Sequence, residues 1–388
     1  MKILITGANG FLGKNLFATL EMIRQGRDPV NRDLHIDEIF CWTRMTPPNQ
    51  QDRFCAETDI VFHFAGVNRA DDPMMFEMGN VGFTQKLLEG LQRHNPGCPV
   101  VYASSIQAGL KDCRNAPYGL SKRCAERLVK EYGTQTGASV YIYRFPNVFG
   151  KWCRPDYNSV VATFCQYITH GRSIAVREPK RVLSLAYVDD LVQEMLQVLR
   201  GKAHLDGAFY HVRPAYTKRV EEIAEILLQF AQQREKQTIP CLPEGSFEKK
   251  LYSTFLSYLP EAAICADVVT HMDERGSFAE LFRLFGDGQV SVNVTKPGAT
   301  KGEHWHHSKW EVFAVVSGSG VIRMRDLFSD CVVEYRVSGE RLQLVWILPG
   351  YVHSLVNTDE SNDLVTFMWS NEHFDPKKPD TYFEKVSV

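Results

Sequence analysis

Two-thirds of the way along the chain the period of its apolar residues changes, and that change limits the possible folds more than any other feature. Up to about residue 200, short apolar runs alternate with amphipathic segments. KILIT, EIFCW, DIVFHFAG, PVVYASS and VYIYRF are rich in β-branched and aromatic residues and bounded by turn residues, which predicts buried parallel strands. Between them GFTQKLLEGLQRH and YGLSKRCAERLVKEYG repeat apolar residues at helical spacing, as crossover helices do. Strand-helix alternation predicts an α/β fold with a doubly wound parallel sheet and a ligand crevice at the carboxyl ends of its strands. RVEEIAEILLQFAQQ adds an amphipathic helix with Val220, Ile223, Leu227 and Phe230 on one stripe. Beyond residue 265 helical periodicity nearly vanishes. QVSVNVTKPG, WEVFAVVSGSGVIRMR and CVVEYRVSGERLQLVWILPGYVHSLVN read as strands punctuated by glycine, with SGSG as a hairpin turn, and predict a small all-β barrel or sandwich. The boundary is expected near Pro260, dividing the chain into 1–260 and 261–388. The stretch between EIFCW and DIVFHFAG is short, so the usual third strand is expected to be missing or much reduced.

Composition narrows the function classes. At 388 residues the chain is too long for one ordinary core. Lys plus Arg number 44 against 46 for Asp plus Glu, so nothing favours nucleic acid or an anionic membrane as partner. MKILITG lacks the parts of a signal peptide, and no window reaches the roughly 18 uninterrupted apolar residues of a membrane span. The ten cysteines are scattered without a CxxC pair, the pattern of reduced thiols in a cytoplasm.

In TGANGFLG, Gly7, Gly10 and Gly13 follow KILIT and open the helix GKNLFATLEM. Such glycines let the backbone turn tightly and approach a pyrophosphate, which rests on the helix N-terminus. Tyr118 and Lys122, at i and i+4, share a helix face. An ammonium beside a phenol favours the phenolate and lowers a pKa that is otherwise about 10. Ser104 and Ser105 end the strand upstream, where a hydroxyl can bind a substrate carbonyl. The second strand ends in Thr43 and Arg44 with no acid, which favours NADP(H), Arg44 meeting the 2′-phosphate.

TGxxGxxG, a strand ending in serine, YxxxK, RFPNVFG and YVDDL together resemble the extended short-chain dehydrogenase/reductase family over roughly residues 1–250. The resemblance implies a Rossmann-type fold with Ser105, Tyr118 and Lys122 as the catalytic set. Tyr118 would exchange a proton with the substrate oxygen, Ser105 would hold that oxygen, and Lys122 would tune Tyr118 and bind the nicotinamide ribose. The cofactor contacts it implies are Gly7, Asn9, Gly10, Phe11, Leu12, Arg44, Ala65 and Gly66, with Tyr118 and Lys122. Asn147, Asn158 and Ser159 fall where relatives bind a nucleotide sugar.

Near the other end, Gly298, His304, His306, Glu311 and Gly318 have the spacing of the first cupin motif, and Pro349, Gly350, His353 and Asn357 resemble the second, with Leu348 where proline is usual. Residues i and i+2 of a strand point to the same side, so His304 and His306 can both face a barrel interior while His307 faces away. With Glu311 and His353 they make a set for a divalent transition metal, zinc first. Four protein ligands would close a tetrahedral site, whereas catalytic zinc keeps a position open. Either one residue is not a ligand, or the coordination expands, or the ion is structural. Asp273-Glu-Arg-Gly-Ser-Phe278 followed by TKGEHWH also resembles deoxysugar-nucleotide 3,5-epimerases, in which the residue matching His304 is a base.

As a whole the chain resembles the CapF family of bifunctional capsular polysaccharide and O-antigen enzymes, a reductase fused to an all-β cupin (jelly-roll) barrel. That resemblance implies epimerisation of carbon 3 of UDP-2-acetamido-2,6-dideoxy-beta-L-arabino-4-hexulose by the cupin, then reduction of carbon 4 with NADPH to UDP-N-acetyl-L-pneumosamine (UDP-2-acetamido-2,6-dideoxy-L-talose). The order follows from the chemistry, since the carbonyl that acidifies the carbon 3 hydrogen is removed by reduction. Lys301, Tyr351, His307 and Asp273 are candidate proton carriers. A homodimer is expected, through helices at 81–94 and 119–133 or through the cupin. The alternative is a 4-reductase whose cupin only grips sugar or dimerises.

Overall fold

Strand β1 (Lys2–Thr6) is buried along almost its whole length, as an apolar run covered on both faces must be. It lies between β2 (Glu38–Trp42) and β3 (Ile60–His63), both parallel to it, and β4 (Val100–Ser105) and β5 (Val140–Phe145) continue the parallel sheet. β6 (Asn147–Phe149), β7 (Val182–Tyr187) and β10 (Tyr216–Arg219) form a small separate sheet in the order β10-β7-β6, while the hairpin of β8 (Leu205–Asp206) and β9 (Phe209–Tyr210) ends the large sheet, whose order is β2-β1-β3-β4-β5-β9-β8. β3 pairs directly with β1, and only the helix Pro48–Glu57 lies between β2 and β3 in the chain. The usual third strand is therefore absent, and β2 is the sheet edge. The computed structural model describes residues 1–110, 116–286 and 288–387.

Helices cover both faces of this sheet. Phe11–Arg24 buries Leu16, Leu20 and Ile23 on one stripe against Ile3, Ile5 and Phe62. On the other face Leu87, Leu91, Ala125, Val129 and Tyr132 pack over Leu4, Val61, Val100 and Tyr102. A buried ion pair ties the sheet to the helix Ala116–Thr136. Glu126, 3% exposed, accepts two bonds of 2.8 Å from Nε and Nη2 of Arg144 and one from the Ser104 hydroxyl. The Arg144 guanidinium also lies 3.6 Å from the Phe209 ring centroid. The pair thus fixes the end of β4 relative to the helix that carries Tyr118 and Lys122.

The second unit is antiparallel except for one short pairing. β13 (Gly276–Leu284), β14 (Gly288–Thr295), β21 (Leu364–Ser370), β16 (Glu311–Ser317) and β19 (Val345–Ile347) run in that order in one sheet, with β12 (Thr270–Asp273) and β11 (Thr238–Ile239) added on β13, β11 in parallel. The other sheet has the order β18 (Val332–Ser338), β17 (Ser319–Asp326), β20 (Tyr351–Asn357), β15 (Thr300–Trp305) and β22 (Tyr382–Phe383). Phe313, Val315, Ile322, Met324, Ile347 and Leu355 form the core between them. Hydrogen bonding gives two mainly antiparallel sheets, as a jelly roll has, but no closed ring of strands forms among the described residues, so the expected barrel is not borne out. Strand periodicity is the same in a closed barrel and in open sheets, which is why the sequence does not separate them. By internal contacts the first unit comprises Met1–Leu228 and Glu244–Pro260, the second Gln229–Pro243 and Glu261–Val388. Gln229–Pro243, placed before the boundary on sequence, groups with the second unit because β11 pairs with β13.

Replacing Arg144 with Met leaves Glu126 buried without its cation, a loss of about 3 kcal/mol. Urea unfolding followed by circular dichroism should register it; an unchanged midpoint would mean that Glu126 does not depend on this partner.

Candidate active site and candidate metal centre

At the carboxyl ends of the parallel strands lies a cleft of about 1180 Å³. Gly7 turns the chain out of β1 at φ +71°, and a Cβ there would lie 2.7 Å from the Ala65 nitrogen. A Cβ at Gly13 would lie 2.3 Å from the Gly7 carbonyl oxygen. These two glycines let the turn, the helix and the end of β3 come together and expose backbone N–H groups to the cleft. Gly7, Asn9, Gly10, Phe11, Leu12 and Gly66 all line it. Ala65 backs the Gly7 turn, and Arg44 is exposed beyond β2; neither is a lining residue.

Ser105, Tyr118 and Lys122 converge on the same cleft. Ser104 points instead to Glu126, so the second serine is the one available to a ligand. Ser105 caps a short 3-10 turn by accepting from the Gln107 N–H and also hydrogen-bonds Tyr118. Lys122 Nζ donates to the Ala103 carbonyl at 2.8 Å. Burial pushes the Tyr118 phenol up to about 12 against the opposing Ser105 bond, and burial lowers the Lys122 ammonium to about 8. The expected depression of Tyr118 by Lys122 is thus reversed: desolvation disfavours both charged forms. Tyr118 is held protonated. Asn147, Asn158 and Ser159 also line the cleft, although the Asn147 amide donates to the Ser184 carbonyl and the Ser159 hydroxyl caps the helix Val160–Thr169. Arg154, Tyr157 and Arg181 were missed on sequence and line the same wall. They lie in irregular chain; Arg154 and Tyr157 stand close to Asn158 in the sequence, whereas nothing in the sequence marks Arg181.

In the second unit, His304, His306, Glu311 and His353 each offer a ligand atom, and these atoms all lie within 4.8 Å of one another. His304 and His353 are cross-strand partners in β15 and β20, while Glu311 opens β16 in the other sheet. A bulge at Glu303, whose φ is +59°, adjusts the register just before His304. His306 Nε2 and His353 Nε2 lie 3.5 and 3.6 Å from the Glu311 carboxylate. His306 Nε2, Glu311 Oε2 and His353 Nδ1 are buried without a hydrogen-bond partner. Burial lowers His304 to about 4 and His353 to about 3, so both rings are neutral near pH 7. Burial raises Glu311, but His306, His353 and Lys309 outweigh it and hold the carboxyl at about 2. Neutral imidazole nitrogens and a buried carboxylate aimed at one point are the donor set that suits a divalent transition metal.

The four candidate proton carriers are placed as follows. Lys301 Nζ donates to the Ser277 and Val294 carbonyls and the Asn293 side chain, which occupies all of its protons. Asp273 pairs with Arg275 at the surface, and His307 packs by its edge against Trp305 and Tyr382. Tyr351, at the start of β20, packs on the inter-sheet core.

A Rossmann-type sheet with serine, tyrosine and lysine at one cleft defines a short-chain-dehydrogenase-like enzyme. Residues 3–211 match the NAD dependent epimerase/dehydratase family, and residues 271–382 the polysaccharide biosynthesis C-terminal domain. Over its full length the chain belongs to the CapF family. The crystal structure of the capsular polysaccharide assembling protein CapF from Staphylococcus aureus is 42% identical, with a TM-score of 0.89 and 100% of both chains covered. A curated relative from Pseudomonas aeruginosa, UDP-2-acetamido-2,6-beta-L-arabino-hexul-4-ose reductase, is 38% identical over 98% of each chain. A 19% identical neighbour, RMD from P. aeruginosa complexed with NADPH, shares the fold alone, with a TM-score of 0.51 over 66% of this chain and 98% of its own. Among the described residues no helix is long and apolar enough to cross a membrane.

The buried cluster makes the cation-free second unit acid-sensitive. The folded pKa values of His304 and His353 lie below the ordinary 6.5, so the unfolded chain binds more protons below that pH. Stability should fall as pH drops from 6.5 towards 4, and further from 4.5 towards 2 as Glu311 protonates. Thermal melts of EDTA-treated protein at pH 7 and pH 5 check this; equal melting temperatures would show that the rings are not held neutral.

Proposed function

We propose that the chain is a bifunctional nucleotide-sugar enzyme in which a cupin-type second unit epimerises carbon 3 and the first unit reduces carbon 4 of UDP-2-acetamido-2,6-dideoxy-beta-L-arabino-4-hexulose. The product is UDP-N-acetyl-L-pneumosamine. The observation that carries this reading is the presence, in one chain, of a Ser105–Tyr118–Lys122 cleft and a convergent His304–His306–Glu311–His353 cluster. The P. aeruginosa relative's name supports the substrate class and the reduction.

In the reductive step Ser105 holds the carbonyl oxygen and Tyr118 delivers its proton there. Burial keeps that proton on Tyr118 until negative charge develops on the oxygen. Lys122, anchored on the Ala103 carbonyl, presents its ammonium to the phenolate left behind and to the ribose. Gly7, Gly10 and Gly13 would hold NADPH over their turn, with Arg44 available to its 2′-phosphate, and the bound cofactor would supply the hydride. In the other unit, the three imidazoles and Glu311 would hold a divalent cation, zinc first, whose contribution is to polarise the carbonyl so that the neighbouring C–H is acidified. Of the four carriers considered, Tyr351 and His307 are the two whose side chains have no hydrogen bond or ion pair described above, and they are the first choices to move the proton.

A second reading is favoured by the outer face of the larger sheet. Val292, Val294, Val312, Phe367 and Trp369 alternate with inward residues, and Trp346, beside Val312, is 53% exposed. An apolar outer face suits a homodimer, and on this reading the second unit only dimerises a 4-reductase.

The full chain incubated with the 4-keto sugar in heavy water, without NADPH, should place deuterium at carbon 3. Tyr118→Phe should abolish NADPH oxidation and leave that exchange intact, whereas His353→Ala should remove the exchange. Absence of label with wild-type protein favours the second reading, and loss of both activities in Tyr118→Phe contradicts the division of labour.

A further inference from the structure

The residue that organises the four-residue cluster from outside lies near the chain's end. The His306 ring is fully buried, and its Nδ1 bonds the backbone carbonyl oxygen of Asp380. A carbonyl only accepts, so Nδ1 carries a proton, which leaves Nε2, the nitrogen facing Glu311, as the one available to a cation. The Asp380 carboxylate in turn accepts the N–H groups of His307, Ser308 and Lys309, each at 2.9 Å, and the Ser308 hydroxyl at 3.1 Å. Burial raises that carboxyl, but the three backbone donors hold it well below the usual carboxylate range. The turn it clasps joins His306 to Glu311. Asp380 itself has φ +36°, a conformation an L residue adopts only when its surroundings enforce it.

The segment after Asp380 is fastened to the strand that carries the histidines. β22 pairs Phe383 with His304 and Tyr382 with Trp305. Glu384 N–H donates to the Glu303 carbonyl and Val386 N–H to the Glu303 side chain. Val386 is 1% exposed, and Arg325 donates to the carbonyls of Lys385 and Val386. One side of the cluster is therefore built by a strap that contributes no ligand.

We propose that Asp380 is the positioning residue of the cation site. Its carbonyl fixes the His306 tautomer, and its carboxylate holds the 307–309 turn so that His306 and Glu311 reach the same point. This rests on the cation-binding reading given above. It follows that strap docking and cation binding are coupled: what favours one favours the other by the same factor.

Full-length protein stripped with EDTA and titrated with Co²⁺ supplies the test, with visible absorption reporting ligand geometry and a chelator competition reporting affinity. Asp380→Ala should weaken Co²⁺ binding about 10- to 100-fold and alter the visible spectrum. Asp380→Asn, which keeps one acceptor oxygen, should fall between Asp380→Ala and wild type. In wild-type protein Co²⁺ should slow backbone hydrogen exchange at 380–386, and in Asp380→Ala that slowing should be lost. Failure of wild-type protein to bind Co²⁺ would sink the cation reading itself. Wild-type binding accompanied by the same affinity and spectrum in Asp380→Ala would overturn the role of Asp380, even if that variant melts at a lower temperature.

Discussion

A carboxylate shut between two sheets with imidazole nitrogens around it is the constraint on which the second unit turns. Glu311 and the three histidines do not satisfy one another, since His306 Nε2, Glu311 Oε2 and His353 Nδ1 are all buried without a hydrogen-bond partner. Protonating a ring would place a charge where water cannot reach it. On the proposed reading, a bound cation would relieve the conflict without that cost. Two charged groups of this unit are occupied: Lys301 is fully engaged by oxygen acceptors, and Asp380 by backbone donors.

Desolvation has a different use in the first unit. Tyr118 and Lys122 share a helix face, yet burial dominates both, keeping the phenol protonated and easing the ammonium towards neutrality. In the proposed reduction, a donor that gives up its proton only when negative charge appears on the substrate oxygen would act mainly in the transition state, which is where assistance accelerates a reaction. The Glu126–Arg144 pair keeps this geometry without entering the cleft, by locking the strand that ends in Ser105 to the helix bearing the other two.

Much of this was legible in the residues. The parallel strands and their helices show as local periodicity, and the glycine turn shows because Gly7 and Gly13 sit where a Cβ would collide with backbone. The shortness of the segment after β2 foretold the missing strand. His304, His306 and Glu311 sit close in sequence and meet in space, while His353 was found through its own motif. What stayed hidden acts through tertiary structure. Asp380 works by its carbonyl and by clasping main-chain N–H groups, so no particular spacing or partner side chain marks it. The raised phenol of Tyr118 depends on burial that no i, i+4 pattern encodes. The grouping of Gln229–Pro243 rests on a two-residue strand, too short to leave a periodic signal.

That last feature bears on how such a chain can be taken apart. It passes from the first unit to the second at residue 229, returns at 244 and leaves again at 261. No single cleavage can release both halves whole. A fragment beginning near 261 lacks the neighbour of β13 along Arg283 and Leu284 and presents a raw sheet edge there, open to pairing with another molecule. The two halves are interleaved along one thread, and transplanting either into another protein means carrying a piece that the linear order assigns to its companion.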